Sequence, residues 1–399
     1  MKKQIYKNYI EFLKSFVLDT DPQIEGEVDY KQFIQLAKIN STEGIMNYMF
    51  LKNPKILDSE YYSYAKKQCL SEIALYSRRA EQMKALTKKL DEEGIDHLLF
   101  KGFVVREYFP VPELRTFGDI DFVIRKDDRQ KCDKLMKELG FEPHDNWEPV
   151  YSYLKETEYY EIHTDVMEID VSDKADYKEY YRHIWEHVVP STLTGLKHSY
   201  EFTPEFHFLY MLTHIAKHIS SSGAGIRMYL DMAFFIKHFD KNIDWKWIQK
   251  EIQKLQFQEF ANMVFAAVEQ WFGVESPLPL KPISKETMED FLNFTIEGGV
   301  YGKFGRDRNV VFLKQQNRNE EEISKFKTLL FHIFPPVSSL KFRYSYLQKC
   351  PWLLPVAWVH RVFGNRDSWK RYAGHTKGIL SADTEEAMRL KRLYKELGL

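Results

Sequence analysis

The stretch LLFKGFVVREYFPVPELRTFGDIDFVIRKDD, residues 98–128, carries two aspartates, Asp119 and Asp121, inside an otherwise apolar, strand-forming run. An unpaired buried carboxylate is costly, and two close together also repel each other. In a strand, residues two apart share a face and lie about 6–7 Å apart. Asp119 and Asp121 therefore project together, while Ile120, Phe122 and Ile124 face the other way, toward packed helices. A paired acidic face of this kind suits a hard divalent cation, which takes oxygen ligands and relieves the repulsion. Gly118, just before the pair, lets a ligand come close to the backbone.

A third carboxylate is expected from a neighbouring strand. The segment YYEIHTDVMEID, residues 159–170, offers Glu161, Asp165, Glu168 and Asp170. Glu161 and His163 form a second pair on one face, and His163 is read either as hydrogen-bonding a carboxylate or as a satisfied structural histidine. Two cations about 3.5–4 Å apart, held by three acids, make a device for in-line phosphoryl displacement. Lys101 and Arg115 flank the acids in sequence and would either neutralise a triphosphate, Arg115 through its planar fork, or pair with the acidic cluster and tune it. Gly102 would admit phosphates close to the main chain.

Farther along, HIAKH puts His214 and His218 on one helical face, with His207 nearby on the same side. The glutamate of an HExxH zinc protease is missing, so that chemistry is excluded. Two readings of these histidines stay open. In one they pack a helical region against the sheet. In the other, His218 with Arg227 and Asp231 borders a nucleotide or acceptor pocket. Asp231, on an apolar helix, is expected to pair with Arg227, four residues before it.

These motifs in their order, LLFKG and LRTFGDIDFVI, then YEIH, then LTHIAKH and IRMYLDMAFF, resemble the nucleotidyltransferases of the DNA polymerase β superfamily, in particular a bacterial branch of them. The resemblance spans roughly residues 30–275 and, less specifically, the tail at 333–364. It implies an α+β fold: a small mixed-sheet core like the polymerase β palm, embedded in large N- and C-terminal helical regions. It implies Mg2+ or Mn2+ as cofactor, with Asp119, Asp121 and Glu161 as the metal-binding and catalytic acids. The donor would be a nucleoside triphosphate such as ATP, held by Lys101, Gly102, Arg115, Gly118, His163, His218 and Asp231. A nucleoside monophosphate would pass to an acceptor hydroxyl with release of pyrophosphate. The acceptor is left open between a small molecule, a protein side chain and a tRNA end. The wider superfamily opens its site with a glycine-serine pair, whereas this chain has Lys101-Gly102-Phe103. The alternative is a catalytically silent, nucleotide- or partner-binding regulator of the same fold. The absent serine favours it and the intact acid pair opposes it.

The elements that must position these residues follow from periodicity and punctuation. Residues 1–94 read as helical, with Gly94 ending a long amphipathic helix. Residues 95–190 read as the α/β core. There IDHLLF is a short apolar run, FVVREYF a brief helix stopped by Pro110, and GDIDFVIRK a strand. DDRQKCDKLMKELGF is a helix, and residues 150–173 are two or three strands. Residues 191–275 read as a helical domain closing the site. One helix is capped at Thr203 with Pro204 first, a loop follows at 220–225, and a second helix covers IRMYLDMAFFIKHF. Residues 276–399 read as a C-terminal helical extension after a proline-rich boundary.

Composition narrows the partners. The chain has 57 basic and 58 acidic residues among 399, a net charge of −1, so a long nucleic acid is not expected as ligand. Cys69, Cys132 and Cys350 are scattered and form no CxxC pair, which excludes a disulfide framework or zinc knuckle. The start, MKKQIYKNYIEFLKSFVL, reads as an amphipathic helix, and CPWLLPVAWVHRVF is too short and proline-rich to span a bilayer. The expectation is a cytoplasmic protein without a membrane partner.

Overall fold

The alternation read at residues 120–124 becomes a strand at the centre of a mixed sheet in the computed structural model. The model describes all residues except 1, 57–58, 168–170, 173, 222, 300–306, 318–319, 341–343, 345 and 364–365. The strands are β1 (His97–Leu99), β2 (Ile120–Ile124), β3 (Glu142–Trp147), β4 (Val150–Lys155), β5 (Glu158–His163), β6 (Val188–Pro190) and β7 (Ser199–Phe202). Their order is β3-β4-β5-β2-β1-β7-β6. β2 runs parallel to β5 and antiparallel to β1, and β1 runs parallel to β7. The sheet is mixed and the fold is α+β, as expected.

The helices before it are α1 (Lys2–Leu18), α2 (Tyr30–Ile39), α3 (Glu43–Lys52) and α4 (Ser59–Glu92). α4 stops where Gly94 turns to φ +63°, and Ile95 N–H donates back to Leu90 O at 2.9 Å. Between the earlier strands of the sheet lie α5 (Gly102–Val105) and α6 (Arg129–Glu138). The apolar face of β2, Ile120, Phe122 and Ile124, packs with Leu86 and Leu90 of α4 and Leu135 and Met136 of α6. Burying each such side chain contributes about 1.5–3 kcal/mol. That burial fixes the register and turns Asp121 to the opposite face.

α7 (Tyr177–Tyr180) precedes the last two strands, and α8 (Pro204–Ser221), α9 (Ile226–Phe239), α10 (Trp245–Lys254), α11 (Gln258–Phe272) and α12 (Lys285–Gly298) follow them. The stripe expected on α8, from Phe208 and Leu209 through Leu212, Ile215 and Ala216 to Ile219, is buried throughout. Thr203 O accepts from His207 N–H at 2.9 Å, as a residue at the N-cap should. Two local expectations shift, at the end of α8 and at three unforeseen strands, while the stretch from 150 agrees with the two or three strands expected there. α8 runs on to Ser221, into the stretch read as a loop. The stretch from 150 gives two strands, with Asp165–Met167 irregular and Glu168 and Asp170 outside the described residues. β3, β6 and β7 are strands that polarity and proline had hidden.

By its internal contacts the chain divides into Met1–Phe304 with Gly398–Leu399, and Gly305–Leu397. The second unit is helical, with a small core of Val310, Leu313, Ile379, Ala382 and Ala387. No described helix is long and apolar enough to cross a membrane.

Candidate functional site

The parallel pairing of β2 with β5 sets Asp121 opposite Glu161 and Val123 opposite His163. Because residues two apart share a face, Asp121, Glu161 and His163 converge. Their ligand atoms lie within 4.8 Å of one another. Asp121 Oδ1 accepts from Lys101 Nζ at 2.8 Å and from His163 Nε2 at 2.8 Å. His163 Nε2 is 3.9 Å from Glu161 Oε2, and Tyr159 O–H donates to Glu161 Oε1 at 3.4 Å. The other ring nitrogen, His163 Nδ1, is buried without a described partner. A proton there would be an unpaired buried donor, so Nε2 carries it and donates to Asp121.

Asp119 stands one residue before β2 and is exposed to the same cleft. The negative charge of Asp121, then burial, raises its carboxyl above the ordinary range. Burial, then Asp121 and Asp119, pushes Glu161 up to about 7. Asp121 goes the other way. Burial opposes its charge, but Lys101 and His163 overcome that and hold it well below the carboxylate range. Burial also opposes the charge on Lys101, and Asp121 outweighs it, so the amine stays protonated above its ordinary value. Three crowded carboxylates thus share one close ammonium. That donor set fits a divalent cation.

Lys101 turns the chain from β1 into α5 at φ 54° and ψ −138°, and its N–H donates to His207 Nε2 at 3.2 Å. Gly102 follows because a Cβ there would lie 2.1 Å from Arg115 Nη1. Arg115 lies across this glycine and is buried. It grips Asp231 with both arms of its fork, Nε to Oδ1 at 3.0 Å and Nη2 to Oδ2 at 2.5 Å. Nη1 donates to Thr116 O at 3.1 Å. The expected partner of Asp231 is therefore corrected from Arg227 to Arg115. The guanidinium of Arg115 makes two parallel bonds to Asp231, whereas Arg227, on the same helix as Asp231, is turned to Thr116 O at 2.8 Å.

The histidines of α8 form the opposite wall. His214 Nε2 and His218 Nε2 lie 3.1 Å apart. Burial first, and the charge of Lys101 next, lowers His218 to about 4. Burial alone takes His207 to about 3, and His214 is also lowered by burial and by His218. These imidazoles are uncharged at neutral pH. Together the two walls enclose a cavity of about 640 Å³ with the three acids along one side.

A family comparison bears on this arrangement. Residues 26–273 match the family described as uncharacterised nucleotidyltransferase. The chain belongs to this family. No match is found among curated proteins or among solved structures.

For a member of the uncharacterised nucleotidyltransferase family, the geometry sorts the expected site residues clearly. Lys101, Gly102, Arg115, Gly118, Asp119, Asp121, Glu161, His163, His218 and Asp231 all border one cavity. Lys101 touches an acid directly, whereas the fork of Arg115 is engaged by Asp231. Sequence reasoning missed Tyr76 and Arg79 of α4 and Thr116, which also line it. Arg79 follows Arg78 on a polar stretch of α4, which reads as a solvated helix face.

Proposed function

We propose that this chain is a divalent-metal-dependent nucleotidyltransferase that moves a nucleoside monophosphate from a nucleoside triphosphate to an acceptor hydroxyl. The observation that carries the reading is the Asp121–Glu161 strand pair, with Asp119 beside it, along a cavity of nucleotide size. Asp119, Asp121 and Glu161 would hold Mg2+ or Mn2+, which when bound supplies charge neutralisation for the phosphates and acidifies the acceptor hydroxyl.

The chain's own residues have separate tasks. His163 orients Asp121 by donating to Oδ1. Lys101, on the same oxygen, balances part of the negative charge before substrate arrives. Gly118 leaves the approach to Asp119 open. In the reaction a bond forms between the acceptor oxygen and the α-phosphorus. The bond from that phosphorus to the bridging oxygen breaks, and pyrophosphate leaves with the electron pair. The acceptor's proton passes to Glu161 as general base. On the α8 wall His214 and His218 stay uncharged beside Lys217, which also lines the cavity.

The test is transfer of α-phosphate label from each nucleoside triphosphate, with Mg2+ or Mn2+, to cell-extract fractions or to the chain itself. Label transfer that disappears in Asp119→Ala and Asp121→Ala supports the reading. Nucleotide binding with no transfer by the wild type supports the second reading, a silent nucleotide-binding regulator. The feature that favours this second reading is the Lys101 ammonium on Asp121 Oδ1, where a cation ligand is needed.

A further inference from the structure

Among the described residues, two arginines of the cavity have no carboxylate partner in ion-pair range: Arg227 of α9 and Arg79 of α4. Arg227 Nη1 donates to Thr116 O at 2.8 Å and Thr116 Oγ1 at 3.3 Å, while its Nε is buried with no hydrogen-bond partner. Burial and the nearby charge of Arg115 lower its pKa to about 10, the direction expected of a cation short of an anion. Arg79 Nη1 donates to the next carbonyl, Phe117 O, and its guanidinium lies over the rings of Tyr76 and Phe117 at 5.3 and 5.9 Å. Both arginines border the cavity.

Their placement is directional. Arg227 and Arg79 grip consecutive carbonyls at 116 and 117, and the carboxylates begin at 119. Within a few residues the cavity passes from cationic to acidic. Both side chains are half-buried, and a phosphate oxygen would supply the anion they lack while matching the planar fork. The other two cations that flank the acids in sequence already hold carboxylates, Lys101 on Asp121 and Arg115 on Asp231.

We propose that Arg227 and Arg79 form the subsite for the terminal two phosphates of the nucleoside triphosphate, with the tail over Thr116–Gly118 and the α-phosphate at the acids. The proposal rests on the nucleotidyl-transfer reading and assigns it a direction. The leaving pyrophosphate departs on the side of α4 and α9, and the acceptor enters from the other end of the acids.

Inorganic tripolyphosphate is the probe, titrated calorimetrically into the full chain with and without Mg2+. The wild type should bind it. Arg227→Gln and Arg79→Gln should each weaken binding by about tenfold or more, and Arg227→Lys, which keeps the charge and loses the fork, should fall between wild type and Arg227→Gln. Thermal midpoints check that each variant is folded. Because Arg79 is half-buried on the surface of α4, its variant stays informative if Arg227→Gln does not fold. No binding by the wild type, or equal binding by folded Arg227→Gln and Arg79→Gln, overturns the subsite. The transfer reading is judged apart from this by labelled nucleotide. If the wild type transfers label and the arginine variants bind tripolyphosphate as it does, only the subsite falls. If tripolyphosphate binds in an arginine-dependent way and no nucleotide is transferred, the subsite stands as a polyphosphate site and the transfer reading falls.

Discussion

Asp121 of β2 and Glu161 of β5 face each other residue for residue across a parallel strand boundary, and the two carboxyls titrate in opposite directions. The asymmetry comes from their neighbours. Lys101 and His163 both serve Asp121, while Glu161, among the described residues, receives a long bond from Tyr159 O–H at 3.4 Å and has His163 Nε2 no nearer than 3.9 Å. One acid is permanently charged and the other waits for a cation or a proton.

Removing the charged member should cost both stability and turnover. Asp121→Ala leaves the Lys101 ammonium, whose side chain is 18% exposed, without its anion. The expected loss is about 3–5 kcal/mol in urea unfolding, as for other broken buried pairs. Asp121→Asn should lose less stability and still lower label transfer by about a hundredfold or more. Equal unfolding midpoints for wild type and Asp121→Ala would contradict the pairing.

The pH dependence should trace to Glu161. Its carboxyl titrates at about 7 in the folded chain against 4.5 ordinarily, so between those values the folded state holds a proton that the unfolded state has lost. The stability it contributes is therefore full below about 4.5 and declines as pH rises toward 7. Divalent binding must displace that proton, so Mn2+ affinity, read by electron paramagnetic resonance, should strengthen as pH rises through about 7. Glu161→Gln should flatten both trends.

The Arg115–Asp231 pair should behave as one unit. Both side chains are buried, and Asp231→Ala strands the guanidinium over Gly102. Each single alanine variant should destabilise the chain by about 3–5 kcal/mol. The double variant should cost clearly less than the two added together. Additive losses in chemical denaturation would mean that the two residues do not depend on each other.

Gly102→Ala tests the same contact from below. The new methyl meets Arg115 Nη1 at 2.1 Å, and the clamp on Asp231 prevents the guanidinium from yielding. A loss of about 1–3 kcal/mol is expected. In an Arg115→Ala background, where the obstacle is gone, the same substitution should cost little.

Much of this was legible locally. The alternation in Gly-Asp-Ile-Asp-Phe put the acids on one face, because β2 buries its other face and cannot slip. The helix Ile226–Phe239 has the bounds that its apolar periodicity predicts. What was hidden depends on chain segments far apart. Asp231 looked like a partner for Arg227 because the two are a turn apart, yet the residue it holds lies 116 positions away. Arg79 carried no local mark, since only the folded chain brings α4 to Phe117. The edge strands β3 and β6 contain prolines and polar residues, and pairing with their neighbours overrode their weak preference.

Only Thr203 separates β7 from α8, and Lys101 at the end of β1 is fastened to that same helix through His207. The jaw opposite the acids is thus welded to the sheet at two points, while α9 is riveted to the loop before β2 by Asp231. The expected consequence is a site whose facing walls are held in place before any ligand arrives, with little backbone movement on binding.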